Sequence, residues 1–147
     1  MISTDNDIRF MKEALEEAKK ALEKDEIPVG AVVVADGKII GRGHNLTQTL
    51  NDVTAHAEMM AITAAAGFLD AKYLDQCTLY VTVEPCVMCA GAIGWSQIRR
   101  VVFGTPDPKR GFQTFAPKAL HPKCACVGGV LQNECAELMT TFFKNKR

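Results

Sequence analysis

Long apolar runs are missing from this chain. None approaches the roughly 18 consecutive apolar residues that a membrane-crossing helix requires, so no membrane association is expected. The start, Met1-Ile2-Ser3-Thr4-Asp5-Asn6-Asp7, has neither the basic opening nor the apolar stretch of a secretory signal. Internal repeats, low-complexity tracts and interdomain linkers are absent too, and 147 residues read as one domain, 1–147, large enough for a proper core. Net charge is also absent: 17 Lys and Arg balance 17 Asp and Glu, which removes any whole-chain electrostatic argument for nucleic-acid binding. With no export signal, the six cysteines do not read as a disulfide framework, and a reducing, cytoplasmic setting is expected.

What is present is unevenly spread. Residues 1–75 carry 8 Lys and Arg against 13 Asp and Glu, a balance of −5, and residues 76–147 carry 9 against 4, a balance of +5. The basic second half, with Arg99, Arg100, Lys109, Arg110, Lys118, Lys123, Lys144, Lys146 and Arg147, is open to two readings. It is a solvated surface, or it is a local footprint for phosphates.

Two separated stretches carry the chemistry. Thr54-Ala55-His56-Ala57-Glu58 contains a His-x-Glu, and Glu84-Pro85-Cys86-Val87-Met88-Cys89 contains a Pro-Cys-x-x-Cys. An imidazole and two thiolates are three good zinc ligands. A structural zinc takes four protein ligands, whereas three leave a position for water, which is the catalytic arrangement. Glu58 is then the spare carboxylate beside that water. Thr54 suits an N-cap, which places His56 and Glu58 in a first helical turn. Pro85 suits a helix start, and Cys86 and Cys89, three apart, share a helical face. Residues two apart on a helix point to nearly opposite sides, so His56 and Glu58 reach one ion only if it lies off the helix's N-terminal end. Two helix starts aimed at one point favour thiolate there.

Around these stretches the pattern alternates. An amphipathic helix is expected over 5–24, with Ile8, Met11, Leu15, Ala18 and Leu22 on one face and Pro28 ending the pattern. Strands are expected over 29–35 and 38–43, joined by the hairpin turn Asp36-Gly37, then a polar loop to Asp52. The His56 helix runs to a stop at Gly67. A strand over 77–83 feeds the cysteine helix, which reaches about Trp95. Further strands over 99–104 and 124–127 and a helix over 133–146 complete an α/β layered fold on a mixed sheet. Residues 105–123, with three prolines, read as a long loop of the kind that carries function. Phe112 and Phe115 in it are anchors or stacking surfaces for bases. Cys124 and Cys126 are buried thiols or extra metal ligands, and capture of the metal by either would close the site. Cys77 and Cys135 read as core, His44 and His121 as surface or structural, and Asn45 as a turn former or a substrate contact.

The chain resembles the bacterial tRNA adenosine deaminases of the cytidine-deaminase superfamily over nearly its whole length. The matching segments are Ile27-Pro28-Val29-Gly30-Ala31-Val32, Gly43-His44-Asn45, residues 54–58, TLYVTVEPCVMCAG at 78–91, Arg100-Val101-Val102-Phe103-Gly104 and Asn133-Glu134-Cys135-Ala136. The paired zinc motif is the signature of zinc nucleobase deaminases. The resemblance implies a three-layer α/β/α fold with a central five-stranded mixed sheet, in a homodimer. It implies one Zn2+ per chain held by His56, Cys86 and Cys89, with Glu58 carrying protons. It places Asn45 and the backbone amide of Ala57 against the purine, and Ile27 and Phe143 in the pocket lining. The implied partner is a tRNA anticodon loop, whose wobble adenosine becomes inosine. Val53 and the composition of residues 111–126 depart from the family pattern. The rival readings are a free-base or nucleoside deaminase acting on guanine, cytosine or cytidine, and a non-catalytic zinc-stabilised RNA-binding module.

Overall fold

The computed structural model describes residues 4–146. Met1, Ile2 and Ser3 of the stretch read above against a secretory signal, and Arg147 of the basic set, lie outside the described residues. The chain order is α1 (Asp5–Glu23), β1 (Gly30–Ala35), β2 (Lys38–His44), α2 (Thr47–Leu50), α3 (Ala57–Leu69), β3 (Cys77–Val83), α4 (Val87–Trp95), β4 (Arg100–Thr105), α5 (Phe112–Phe115), β5 (Ala125–Val127) and α6 (Gln132–Asn145).

The strands form one sheet in the order β2-β1-β3-β4-β5. β1 pairs antiparallel with β2 and β3, while β3–β4 and β4–β5 are parallel. The expected five-stranded mixed sheet is therefore present. Asp36 (φ 52°) and Gly37 (φ 74°) both adopt positive φ, as a tight hairpin turn between twisted strands requires.

The apolar run of β1 has no polar alternation because both faces of the sheet are covered. Val32 and Val34 face a cluster with Phe10, Met11, Ala14 and Leu15 of α1 and Cys135 of α6. Ala31 and Val33 face the other cluster, with Ala57, Ala61 and Ala65 of α3 and Ile93 of α4. Three layers result. Asp7 of α1 is 1% exposed and takes a two-pronged grip from Arg100, Nη1 to Oδ1 at 2.8 Å and Nη2 to Oδ2 at 2.7 Å, while the Tyr80 hydroxyl donates to Oδ1 at 2.8 Å. This ties α1 to the middle of the sheet, and the Arg100 guanidinium holds the Asp7 carboxyl below its ordinary value.

α3 lies unusually close to β2. A Cβ on Gly41 or Gly43 would collide with the α3 backbone at Ala61 or Ala57. Only glycine lets the helix press onto the strand, and the close seating fixes the N-terminus of α3 relative to the sheet.

Three expectations are corrected. Gly67 does not end α3: the helix continues to Leu69, and Asp70 takes the left-handed cap at φ 51°. Residues 46–52 and 105–123 are not wholly loop, since each contains a one-turn helix, α2 and α5. Thr54 is not the N-cap of α3. Its amide and hydroxyl both donate to Asp52 Oδ1, at 2.8 and 2.7 Å, so its side chain is spent in a turn, and His56 takes the cap position with ψ 156°.

Candidate active site

The two chemistry-bearing stretches meet where two helices begin. His56 is the N-cap of α3 and Cys86 the N-cap of α4, both in extended backbone. Pro85 therefore precedes the cap instead of opening the helix. Cys89 is the third residue of α4, so Cys86 and Cys89 hold the N-cap and N3 positions, a spacing that turns both side chains toward the helix end. No side chain caps either helix, and the first amides of each are oriented toward the common point.

His56 Nδ1 lies 3.6 Å from Cys86 Sγ and 3.4 Å from Cys89 Sγ. Ligands around a tetrahedral zinc, at about 2.3 Å for sulfur and about 2.0–2.1 Å for nitrogen, stand roughly 3.6 Å apart, so the donor set fits that ion. Among the described residues these three form the one group of His, Cys and acidic side chains whose ligand atoms converge, all within 4.8 Å of one another. Cys124 and Cys126 do not join it. Cys124 packs against the core cluster under α3 and α4, and Cys126 is exposed on the edge strand β5. The converging donor set thus comprises three side chains, with neither Cys124 nor Cys126 among them.

The three side chains share protons among themselves. The hydrogen bond with Cys89, and then that with His56, holds the Cys86 thiol down to about 4. The same bond to Cys86, together with burial, pushes Cys89 upward, and the bond to Cys86 raises His56. A dication entering this cluster displaces the protons it shares.

Glu58, the second residue of α3, is 4% exposed. Burial pushes its carboxyl up to about 7, and the neighbouring Cys86 thiolate adds to the shift. A carboxyl poised near neutrality can both take and give a proton.

His56, Glu58 and Cys86 line a cleft of about 1460 Å³. That exceeds the roughly 300–1,000 Å³ of ordinary small-molecule pockets. Ile27, Asn45, Ala57 and Phe143 all line it, so every residue expected at the substrate is gathered here. Asn45 serves as a turn former as well: its Nδ2 donates to Ile27 O at 3.4 Å and its Oδ1 accepts from Thr47 N at 3.1 Å. Pro106, Lys109, Arg110 and Phe115 form one wall, and Lys146 adds a further cation. The two phenylalanines divide between their readings. Phe112 is an anchor, 2% exposed, whereas Phe115 is 61% exposed on the wall.

His44 and His121 are structural, as expected. His44 is within 3.0 Å of both Glu17 Oε1 and Lys24 Nζ, and His121 Nδ1 accepts from Lys123 N at 3.1 Å. Cys77 and Cys135 are buried in the core. The residue that sequence reasoning missed is Glu84. It was visible only as part of the cysteine motif, yet it is 6% exposed and its carboxylate holds the loop beneath the wall. An acidic residue between a buried, β-rich strand and a proline is the signal that marks it as a buried hydrogen-bonding centre.

Residues 4–105 match the cytidine and deoxycytidylate deaminase zinc-binding region. The chain is 46% identical over 143 residues to the tRNA-specific adenosine deaminase of Bacillus subtilis (strain 168), covering 94% of this chain and 89% of that protein. It is 44% identical to a solved tRNA:A34 deaminase that edits adenosine to inosine at the wobble position, with a TM-score of 0.83 over 88% of this chain and 98% of that one. A solved guanine deaminase from Bacillus subtilis is also 44% identical, with a TM-score of 0.64, over 67% of this chain and 63% of that one. The converging imidazole and thiols and the matching architecture agree with these relationships: the chain belongs to the tRNA-specific adenosine deaminases, within the zinc-dependent cytidine and deoxycytidylate deaminase family.

Proposed function

We propose that this chain, acting as a single zinc-dependent domain over 1–147, hydrolyses the wobble adenosine of a tRNA anticodon to inosine and releases ammonia. The observation that carries the reading is a three-donor metal site with a buried acid beside it, in a cleft larger than a free base needs and walled by cations. His56 Nδ1 and the sulfurs of Cys86 and Cys89 hold the metal. Zinc bound there supplies one kind of chemistry, acidifying a water molecule from a pKa of about 15.7 toward 7 and so making a nucleophile at neutral pH.

Glu58 does the proton work. It accepts the proton from that water and passes it to the purine nitrogen beside the amine-bearing carbon, which makes the carbon electrophilic. Once oxygen is bonded to that carbon, Glu58 would take the second proton from the added hydroxyl and give it to the amine, so that the C–N bond breaks, ammonia leaves and the carbonyl of inosine remains. One water is consumed and one ammonia formed.

Ile27 and Phe143 flank the base, and the first amides of α3, from Ala57 onward, have no intrahelical acceptor and so can meet its polar edge. Asn45 contributes the hydrogen-bonding capacity left over from its turn, since an amide side chain has four such positions. The target base must leave its stack to reach the site, which an anticodon loop allows cheaply. Lys109 and Arg110 would meet the flanking phosphates, joined by Lys146 if it gives up its ion pair with Asp25, and the exposed Phe115 ring offers a stacking surface.

The test is to incubate zinc-loaded protein with total tRNA and, separately, with adenine, guanine, cytosine and cytidine. Inosine should form in the tRNA, and at subsaturating tRNA the rate should fall at least tenfold between about 50 and 200 mM salt. Deamination of a free base at a salt-insensitive rate, with tRNA untouched, would favour the guanine-deaminase-like alternative. A zinc-bearing protein without any deaminase activity would favour the RNA-binding module, which has no use for Glu58.

The working form is a homodimer. α4 turns an apolar face outward, with Trp95 85%, Val87 45% and Met88 37% exposed, and Gly91 has open space around it. A second copy presenting the same face would cover it isologously. Sedimentation should give twice the chain mass of 16.0 kDa, and a monomeric mass would remove this part of the reading. The proposed location is cytoplasmic. Six cysteines without a disulfide, two of them metal ligands, suit a reducing compartment, and no helix among the described residues is long and apolar enough to cross a membrane.

A further inference from the structure

Glu84 links the metal site to the wall of the cleft. It sits between the end of β3 and Cys86, with a side chain 6% exposed. Its Oε1 accepts from Asp107 N at 3.0 Å, and its Oε2 accepts from Gln113 N at 3.0 Å. The surrounding backbone closes on the same point. Glu84 N donates to Thr105 O at 2.9 Å, Phe112 N donates to Pro85 O at 2.9 Å, and Cys86 and Gly111 form an isolated antiparallel bridge. A Cβ on Gly111 would fall onto the Glu84 carboxylate, so glycine at 111 keeps the space that the carboxylate fills. Within the loop, Asp107 Oδ1 accepts from the amides of Lys109 and Arg110, both at 3.1 Å. The segment from Pro106 to Arg110, which forms the cationic wall, is thus wrapped around one buried carboxylate two residues from a metal ligand.

We infer that Glu84 is a positioning residue that sets the Pro106–Arg110 wall in register with the metal site, and so determines how tightly a polynucleotide is held without taking part in the chemistry. This rests on the tRNA reading for its substrate, though not for its geometry. An amide at position 84 turns one acceptor into a donor facing a donor. A buried donor left without its acceptor relaxes outward, carrying Lys109 and Arg110 away from the phosphates.

The test compares Glu84→Gln with the wild-type holoenzyme. The variant should bind one zinc per chain and keep kcat within about threefold, while KM for tRNA rises about tenfold or more, the scale of one lost buried, charge-assisted hydrogen bond. The dependence of affinity on salt should become shallower by about one to two in log–log slope, as two phosphate contacts weaken. Trypsin should nick the variant after Lys109 or Arg110 at least tenfold faster, a readout that needs no activity. In a Lys109→Ala/Arg110→Ala background, Glu84→Gln should add little further to KM, because both changes act through the same wall. Gly111→Ala, which leaves Glu84 in place but fills its space, should reproduce the KM and nicking changes and serves if Glu84→Gln does not fold. Unchanged KM, salt slope and nicking in a folded variant would overturn the inference. So would loss of zinc or of kcat with KM unchanged, which would make Glu84 part of the metal site itself. If wild-type protein fails to deaminate tRNA, the functional reading falls while faster nicking still upholds the positioning role.

Discussion

Glu58→Ala should lower kcat by about 10⁴-fold while leaving one zinc bound per chain. Positioned acid–base groups contribute about 10²–10⁴ in rate, and the upper end is expected because one carboxyl serves both water activation and amine departure. Among the described residues, the other buried acidic side chain lining the cleft, Glu84, has both oxygens occupied by the amides of Asp107 and Gln113 and is not free to take its place. The metal donors are His56 Nδ1 and the sulfurs of Cys86 and Cys89, none of which the substitution removes. Single-turnover inosine formation, with enzyme in excess over tRNA, separates the chemical step from product release and reads the effect directly.

His56→Ala should abolish activity by a different route, with zinc falling from one per chain to near zero after dialysis. Two thiolates at the tip of one helix remain, but without the imidazole from α3 nothing joins the two helix ends around the ion. Metal binding draws on a site assembled by folding, and ligands from separate elements contribute to it together. Atomic absorption on the purified variant checks this. Zinc retained at full stoichiometry would mean that another side chain completes the set.

The difference between these two variants follows from an arrangement that the sequence shows clearly in its ligands and poorly in its caps. His-x-Glu and Cys-x-x-Cys are local patterns whose spacing sets geometry, and both stretches stand where a helix begins. The precise cap residues were not legible. Thr54 has the better capping side chain, but Asp52 two residues earlier captures its hydroxyl and amide, a competition between local turns that propensity does not rank. The larger elements were legible because their residue patterns identify them: a 3.6 period in α1, a continuous apolar run in β1, and β-branched and aromatic residues in β3. α2 and α5 were not, since one turn of helix has no period to read. Each is held from a distance by a buried carboxylate. Glu26, 1% exposed, accepts from the amides of Gln48 and Thr49 at 3.1 and 2.6 Å, and Glu84 accepts from Gln113 in the same way. Both carboxylates lie beside an X-Pro or Pro step at the edge of an apolar stretch, which identifies them as buried in retrospect, but their partners lie 22 to 29 residues away. The cleft has the same origin. Ile27, Asn45, Ala57 and Phe143 come from four separate segments, and only the resemblance to the deaminases joined them before the fold did.

The central claim is that metal binding and proton transfer are carried by different side chains at one site. It is tested most directly by measuring zinc per chain and inosine per tRNA on the same samples of wild-type protein and the Glu58→Ala variant. The account predicts one zinc in both, with inosine in the wild type alone. A Glu58→Ala protein that loses its zinc, or that keeps making inosine at the wild-type rate, would contradict it.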